Sequence, residues 1–338
     1  MSVEYYRNLL RSVFEGKKCI LCTGPLAGQG KHIKTLRELG ATSFLILADG
    51  EGTGEIPTGE DVFWEIVVEG QVADMMTGLR RYDEALRNPS EEVRAAVDKF
   101  DPDCEAIVLA AHISDVQHIL GRVRLGAREP SWAALEDKVI IDEFWDQVGI
   151  LRAPAAILES KDLDACLQAA QELDEGAGTI WAGDAREGYN GGASYLRYIR
   201  PGDDTKEAHS FFREHCDRLR IMPFLRGIPC SIHGVVLPDD VLAFRPVEMV
   251  VLQRANSQKL LYAGFSTFWD PPEEDREQMR EIARRVGLAL RESVGYRGAF
   301  TVDGILTAGL LAHGTKSSER RCFWVAHKSR GRAAPYAA

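Results

Sequence analysis

The chain has 338 residues, 45 % hydrophobic and 27 % charged, with a net charge of −10. Its size favours more than one domain. These proportions exclude a collagenous, coiled-coil or wholly disordered chain, and the acidic balance argues against broad contact with nucleic-acid phosphates. Apolar runs are short, as at residues 106–111, so no membrane span is expected, and residues 1–16 lack the apolar region of a secretory signal. Seven unevenly spaced cysteines read as reduced thiols of a cytoplasmic protein.

In chain order, Tyr6, Leu9, Leu10 and Val13 share one face of a helix over 4–15. A strand over 18–22, the loop TGPLAGQG, a helix over 31–39 and a strand over 43–47 follow. Strands over 61–68 and 105–110 enclose helices over 72–86 and 91–100. This alternation predicts a parallel, doubly wound α/β domain over residues 1–130. A helix over 131–148 stops at Gly149. After it come a strand (155–158), a helix (162–173) and two strands (179–182, 194–199) joined by a glycine-rich turn. A helix over 205–216 leads to strands over 219–225, 230–237, 241–252 and 260–268, then a helix over 273–292 and a strand over 299–306. That second half reads as α+β, so the fold class is α/β followed by α+β.

Several motifs carry little. GPLAGQGK is one residue too long for a P-loop, and His32 stands where that motif needs Ser or Thr. Its amides at a helix start still suit an anion. Cys19 and Cys22 lie on one strand and point to opposite faces, so they share no metal. The histidines show no ligand spacing. Glu248 and Asp303 interrupt apolar strands, where an acid needs an ion pair or a cation. Arg245 and Arg297 are the nearby cations in sequence.

Read together, LEDKVIIDEFWDQVGILRAPAAIL, GYNGGA, RIMPFLRGIPCSIHG and TVDG occur in an order and spacing that resemble the ATP-grasp superfamily of carboxylate–amine ligases. The resemblance spans residues 135–306 and implies a two-lobed fold over 131–308, preceded by the α/β domain. It implies ATP and Mg²⁺ as cofactors and a small carboxylate and an amine as substrates. It assigns Lys138 to phosphate, Gly191 and Gly192 to the phosphate-covering turn, and Ile221, Met222, Pro223 and Phe224 to adenine. By the same resemblance Glu248 is expected at the nucleotide site, Asp303 at the metal, and Arg245 and Arg297 in catalysis. A second family lysine is missing from TIWAGD, and Arg186 is its stand-in, although a guanidinium is not an ammonium. Nucleic-acid and membrane partners are not implied, and a homo-oligomer is compatible with the sequence.

One part of the family pattern is absent. After its first metal acid the family places Glu-x-Asn, often with Pro-Arg, on the next strand. Here residues 309–338 hold six basic side chains against Glu319, a net +5 that leaves −15 on residues 1–308. A basic, disordered tail is one reading. The other is a shifted reading frame. GLLAHGTKSSERR admits synonymous codons that, read one base later, encode GFLPTELNPRSA, which contains Glu-Leu-Asn-Pro-Arg. The expected function is therefore an ATP-dependent ligase weakened by loss of its metal motif, with a non-catalytic ATP-binding or assembly protein as the alternative. A dinucleotide oxidoreductase is disfavoured, because no G-x-G-x-x-G with a following ribose acid is present.

Overall fold

The computed structural model describes residues 3–68, 70, 72, 75–110, 118–126, 129–188, 191, 193–307 and, as backbone, 321–329. The chain separates into two compact units, with the boundary between Pro130 and Ser131.

The first unit runs α1 (Val3–Phe14), β1 (Lys18–Cys22), a 3₁₀ turn (Leu26–Gly28), α2 (Gly30–Glu38), β2 (Ser43–Ala48) and β3 (Val62–Ile66). It continues with α3 (Met75–Arg87), α4 (Glu91–Phe100), β4 (Ile107–Ala110), β5 (His118–Ile119) and β6 (Arg122–Gly126). The strands are ordered β3-β2-β1-β4-β6-β5, all parallel except the short β5. Both faces are covered, as a parallel sheet requires. Ile20 and Cys22 pack with α3 and α4, while Cys19 and Leu21 pack with α2 on the other face. The two thiols thus point apart, and burial pushes each up to about 12.

A buried ion pair fixes the end of α4. Arg122, 3 % exposed, donates to Asp101 at 2.9 Å, and Asp101 also accepts from the Glu105 and Ala106 amides. Burial raises the Asp101 carboxyl, but the Arg122 and amide hydrogen bonds outweigh it and hold the group below its ordinary range.

The second unit contains α5 (Pro130–Ala134), α6 (Ile141–Val148), β7 (Ala156–Glu159), α7 (Leu163–Leu173), β8 (Thr179–Gly183), β9 (Leu196–Ile199), α8 (Lys206–His215) and β10 (Arg218–Pro223). Then come β11 (Gly227–Val236), β12 (Val241–Ala243), β13 (Val247–Gln253), β14 (Leu260–Ser266), α9 (Glu273–Val294), β15 (Gly298–Thr307) and β16 (Arg321–Ser329). Two antiparallel sheets result. The smaller is ordered β7-β10-β8-β9; the larger is β14-β13-β11-β15-β16, with β12 beside β11. The fold is thus α/β followed by α+β. Helices α7 and α8 cover one face of the smaller sheet through Cys166, Ala169, Ala208 and Phe212. Helices α6 and α9 cover one face of the larger sheet through Trp145, Met279, Val286 and Leu290.

Two sequence expectations need correction here. The helix expected over 131–148 is two helices, because the Asp137 carboxylate caps the Val139 amide at 2.8 Å and turns the chain between them. The strand expected over 241–252 is broken between β12 and β13, where Pro246 lacks an amide to pair. Within the basic tail, Arg321–Ser329 forms β16, antiparallel to β15. The rest of 309–338 lies outside the described residues.

Candidate nucleotide site

The two sheets of the second unit enclose a cavity of about 540 Å³. Strand alternation decides which side chains reach it. On β8, Trp181 points into the α7–α8 core while Ile180 faces the cavity. On β10, Ile221 enters that same core and Met222 lines the cavity. On the larger sheet, Pro229 of β11, Met249 and Val251 of β13, and Ile305 of β15 supply the opposite wall.

The cavity is polarised along its length. One end is the β10–β11 connection, with Pro223, Phe224 and Leu225. Phe224 donates its amide to the Gly178 carbonyl at 2.9 Å, and its ring stacks on Tyr198 with centroids 4.1 Å apart. That connection is therefore anchored before any ligand arrives. Pro223, Phe224 and Leu225 make an apolar wall suited to a heteroaromatic base, and Arg226 of the same connection also lines the cavity.

The other end holds Lys138, Gly191, Ser194, Tyr195 and Asp303. Asp303 is 4 % exposed, and Ser231 on β11 donates to its Oδ1 at 2.8 Å. Their register across β11 and β15 makes that bond, since Ser231 and Asp303 are direct partners. Lys138 sits between α5 and α6, in a segment tied to the glycine-rich connection by Asp137, which accepts from the Ala185 amide at 3.1 Å. Asp184 secures the same connection by accepting from the Arg186, Asp217 and Arg218 amides. An ammonium, glycine-rich backbone and a buried carboxylate at one end of an apolar slot suit a phosphorylated ligand.

The sequence-derived residues sort accordingly. Lys138, Gly191, Met222, Pro223, Phe224 and Asp303 all line this cavity. Ile221 does not, because its parity on β10 turns it into the helix-covered core. Arg186 does not replace the missing lysine at the cavity wall: its guanidinium reaches the Glu214 carbonyl and, at 3.4 Å, Asp217. Glu248 is the direct partner of Cys230, whose side chain belongs to the core beneath the larger sheet, and Met249 takes the cavity position instead. Arg245 pairs with Asp270 at 3.1 Å, and Arg297 donates to the Tyr296 carbonyl at 2.7 Å, so neither meets Asp303. Gly192 lies outside the described residues. Sequence reasoning passed over Asp137 and Asp184, although an aspartate at a turn next to glycine is a recognisable amide acceptor.

The cation question turns on β16. It pairs with β15 so that Ala326 stands opposite Asp303, and its sequence, RCFWVAHKS, contains no Asp or Glu. Among the described residues no group of three or more His, Cys, Asp or Glu side chains is arranged to hold a metal ion. Mg²⁺ takes near-octahedral oxygen ligation, commonly with one or two carboxylates beside phosphate oxygens. Asp303 is the single carboxylate among the described lining residues. The described residues therefore do not by themselves make up a full magnesium site. No helix among the described residues is long and apolar enough to cross a membrane.

No protein-family model matches the sequence, and no curated protein matches it. Solved structures match its fold. The chain is similar to biotin carboxylase from Campylobacter jejuni, solved as a β,γ-ATP complex, with a TM-score of 0.61 and 14 % identity over 94 % of this chain and 66 % of that one. It is similar to the VanG D-Ala:D-Ser ligase from Enterococcus faecalis, with a TM-score of 0.53 and 12 % identity over 93 % and 90 % of the two chains. Phosphoribosylamine–glycine ligase from Thermotoga maritima gives a TM-score of 0.52 and 14 % identity over 92 % and 68 %. The chain thus has the ATP-grasp fold shared by these ligases.

Proposed function

We propose that the second unit binds ATP or ADP, with adenine at the β10–β11 connection and phosphates toward Lys138, Ser194 and Asp303. The reaction class is ATP-dependent joining of a small carboxylate to an amine. The observation that carries the reading is the cavity between the two sheets, with the apolar wall of Pro223, Phe224 and Leu225 beside Arg226 at the connection, and Lys138 and the buried Asp303 carboxylate at its other end. In that chemistry a carboxylate oxygen attacks the γ-phosphorus and ADP leaves. The amine then attacks the acyl phosphate, loses a proton, and phosphate departs. We assign residues 1–130 to a preceding α/β domain, 131–308 to the ligase fold and 309–338 to translation in a shifted frame. The protein works in the cytoplasm in this reading, where ATP is supplied.

Turnover by the chain as written is weak on this account, because the strand beside Asp303 supplies no carboxylate. That same observation favours the second reading, a protein that binds ATP without consuming it. The two separate in one assay series. ADP release that depends on both an added carboxylate and an added amine supports the ligase. ATP-dependent thermal stabilisation with no phosphate release supports the binder. Absence of both effects removes the nucleotide assignment.

A further inference from the structure

The glycine-rich connection between β8 and β9 has an inner side that lines the cavity and an outer side that does not. Gly191, Ala193, Ser194 and Tyr195 belong to the inner side. Arg186 and Glu187 belong to the outer side and face the last turn of α8. Glu187 joins the two. Its Oε2 accepts from the Tyr195 hydroxyl at 2.6 Å, and its Oε1 lies 3.0 Å from His215 Nδ1. Tyr195 is 8 % exposed, and its ring meets Phe211 edge-on at 5.3 Å. Its carbonyl accepts from the Gly183 amide at 3.0 Å. The backbone of Tyr195 is thus fixed by β8, and its hydroxyl by Glu187.

A carboxylate this close to the polar end opposes bound phosphate unless its charge is directed elsewhere. Here it is directed outward. The Arg186 guanidinium lies 3.6 Å from Glu187, and His215 sits on its other side, itself 4.0 Å from Glu214. Arg186 is in turn held by Asp217 and the Glu214 carbonyl. Glycine-rich backbone has many conformations to lose on ordering, so a side chain that fixes one of them lowers the cost of binding.

We infer that Glu187 is a positioning residue for the phosphate end of the cavity. It acts by holding Tyr195, and with it Ser194 and Gly191, against α8. The inference rests on the nucleotide reading above and adds a residue to it that never touches the ligand. Its signature is dependence on phosphate. Losing Glu187 weakens ligands that carry phosphates and spares the nucleoside.

The test is titration of ADP and adenosine into the wild-type chain, Glu187→Ala, Glu187→Gln and Tyr195→Phe. Glu187→Ala is expected to weaken ADP about tenfold and adenosine by less than about twofold, the scale of lost charge-assisted hydrogen bonds. Glutamine keeps a carbonyl acceptor for the Tyr195 hydroxyl, so Glu187→Gln recovers ADP affinity to within about threefold of wild type. Tyr195→Phe keeps the ring contact and removes only the hydroxyl, and it carries the test should Glu187→Ala not fold. It is expected to weaken ADP about fivefold. Unchanged ADP affinity in these variants, or equal losses for ADP and adenosine, overturns the inference while leaving the nucleotide reading intact. Failure of the wild-type chain to bind either ligand overturns both.

Discussion

Arg220→Ala is expected to lower the unfolding free energy of this protein by about 3–5 kcal/mol, the usual cost of removing one partner from a buried ion pair. Arg220 lies on β10 with its side chain wholly buried, and Asp142 on α6 is 7 % exposed. Arg220 Nε donates to Asp142 Oδ2 at 2.9 Å, and Nη2 lies 2.8 Å from Oδ1. The pair ties the smaller sheet to a helix whose other side chains, Phe144 and Trp145, are core to the larger one. Truncation leaves Asp142 buried with Arg152, whose Nη1 is 3.4 Å away. Arg152 is itself bound bidentately by Asp146, with both contacts at 2.8 Å, so it is a weak substitute. Urea denaturation followed by tryptophan fluorescence measures the loss. Combining Arg220→Met with Asp142→Leu removes both charges, and recovery of most of the stability is the expected control. A single variant within about 1 kcal/mol of wild type shows that the pair carries no such load.

The second large effect concerns turnover. Replacing residues 309–338 with the plus-one reading, beginning GFLPTELNPRSA, is expected to raise carboxylate-dependent ATP turnover about 100-fold or more, because it supplies a Glu and an Asn to the segment that follows β15, for pairing beside Asp303. The physical reason is local. Asp303 is buried and braced by Ser231, yet the neighbouring strand presents Ala326 at the paired position. On the proposed reading, a cation held with a triphosphate would find one carboxylate, Asp303, among the described lining residues. Sequencing the coding DNA is the first step, since an actual plus-one frame without Glu-x-Asn contradicts the shifted-frame origin. Equal turnover by the two proteins contradicts the proposed impairment.

Much of the fold was legible because it is written in short-range pattern. The alternation of Ile20 and Cys22 with Cys19 and Leu21 predicts a strand buried on both faces, and those residues divide between two cores. Met222, Pro223 and Phe224 reach the cavity because they close β10 at its turn into β11. Charged residues were harder, since the destination of a long side chain depends on residues distant in sequence. Arg186 looks available until α8 brings Asp217 to it, 31 residues later. Arg245 looks catalytic until Asp270 arrives from the segment before α9. The Glu248 and Ile221 side chains miss the cavity for a simpler reason. Both sit one position out of phase with the face of their strand that lines the cavity.

In the proposed nucleotide site, phosphate meets Lys138 while the base occupies the slot at the β10–β11 connection. Titration calorimetry of ADP against the wild-type chain and Lys138→Ala addresses both halves. The account predicts saturable binding at one site per chain and a loss of about tenfold or more in the variant, with adenosine bound equally by both proteins. No saturable binding by the wild-type chain, or identical ADP affinity in the two proteins, contradicts it.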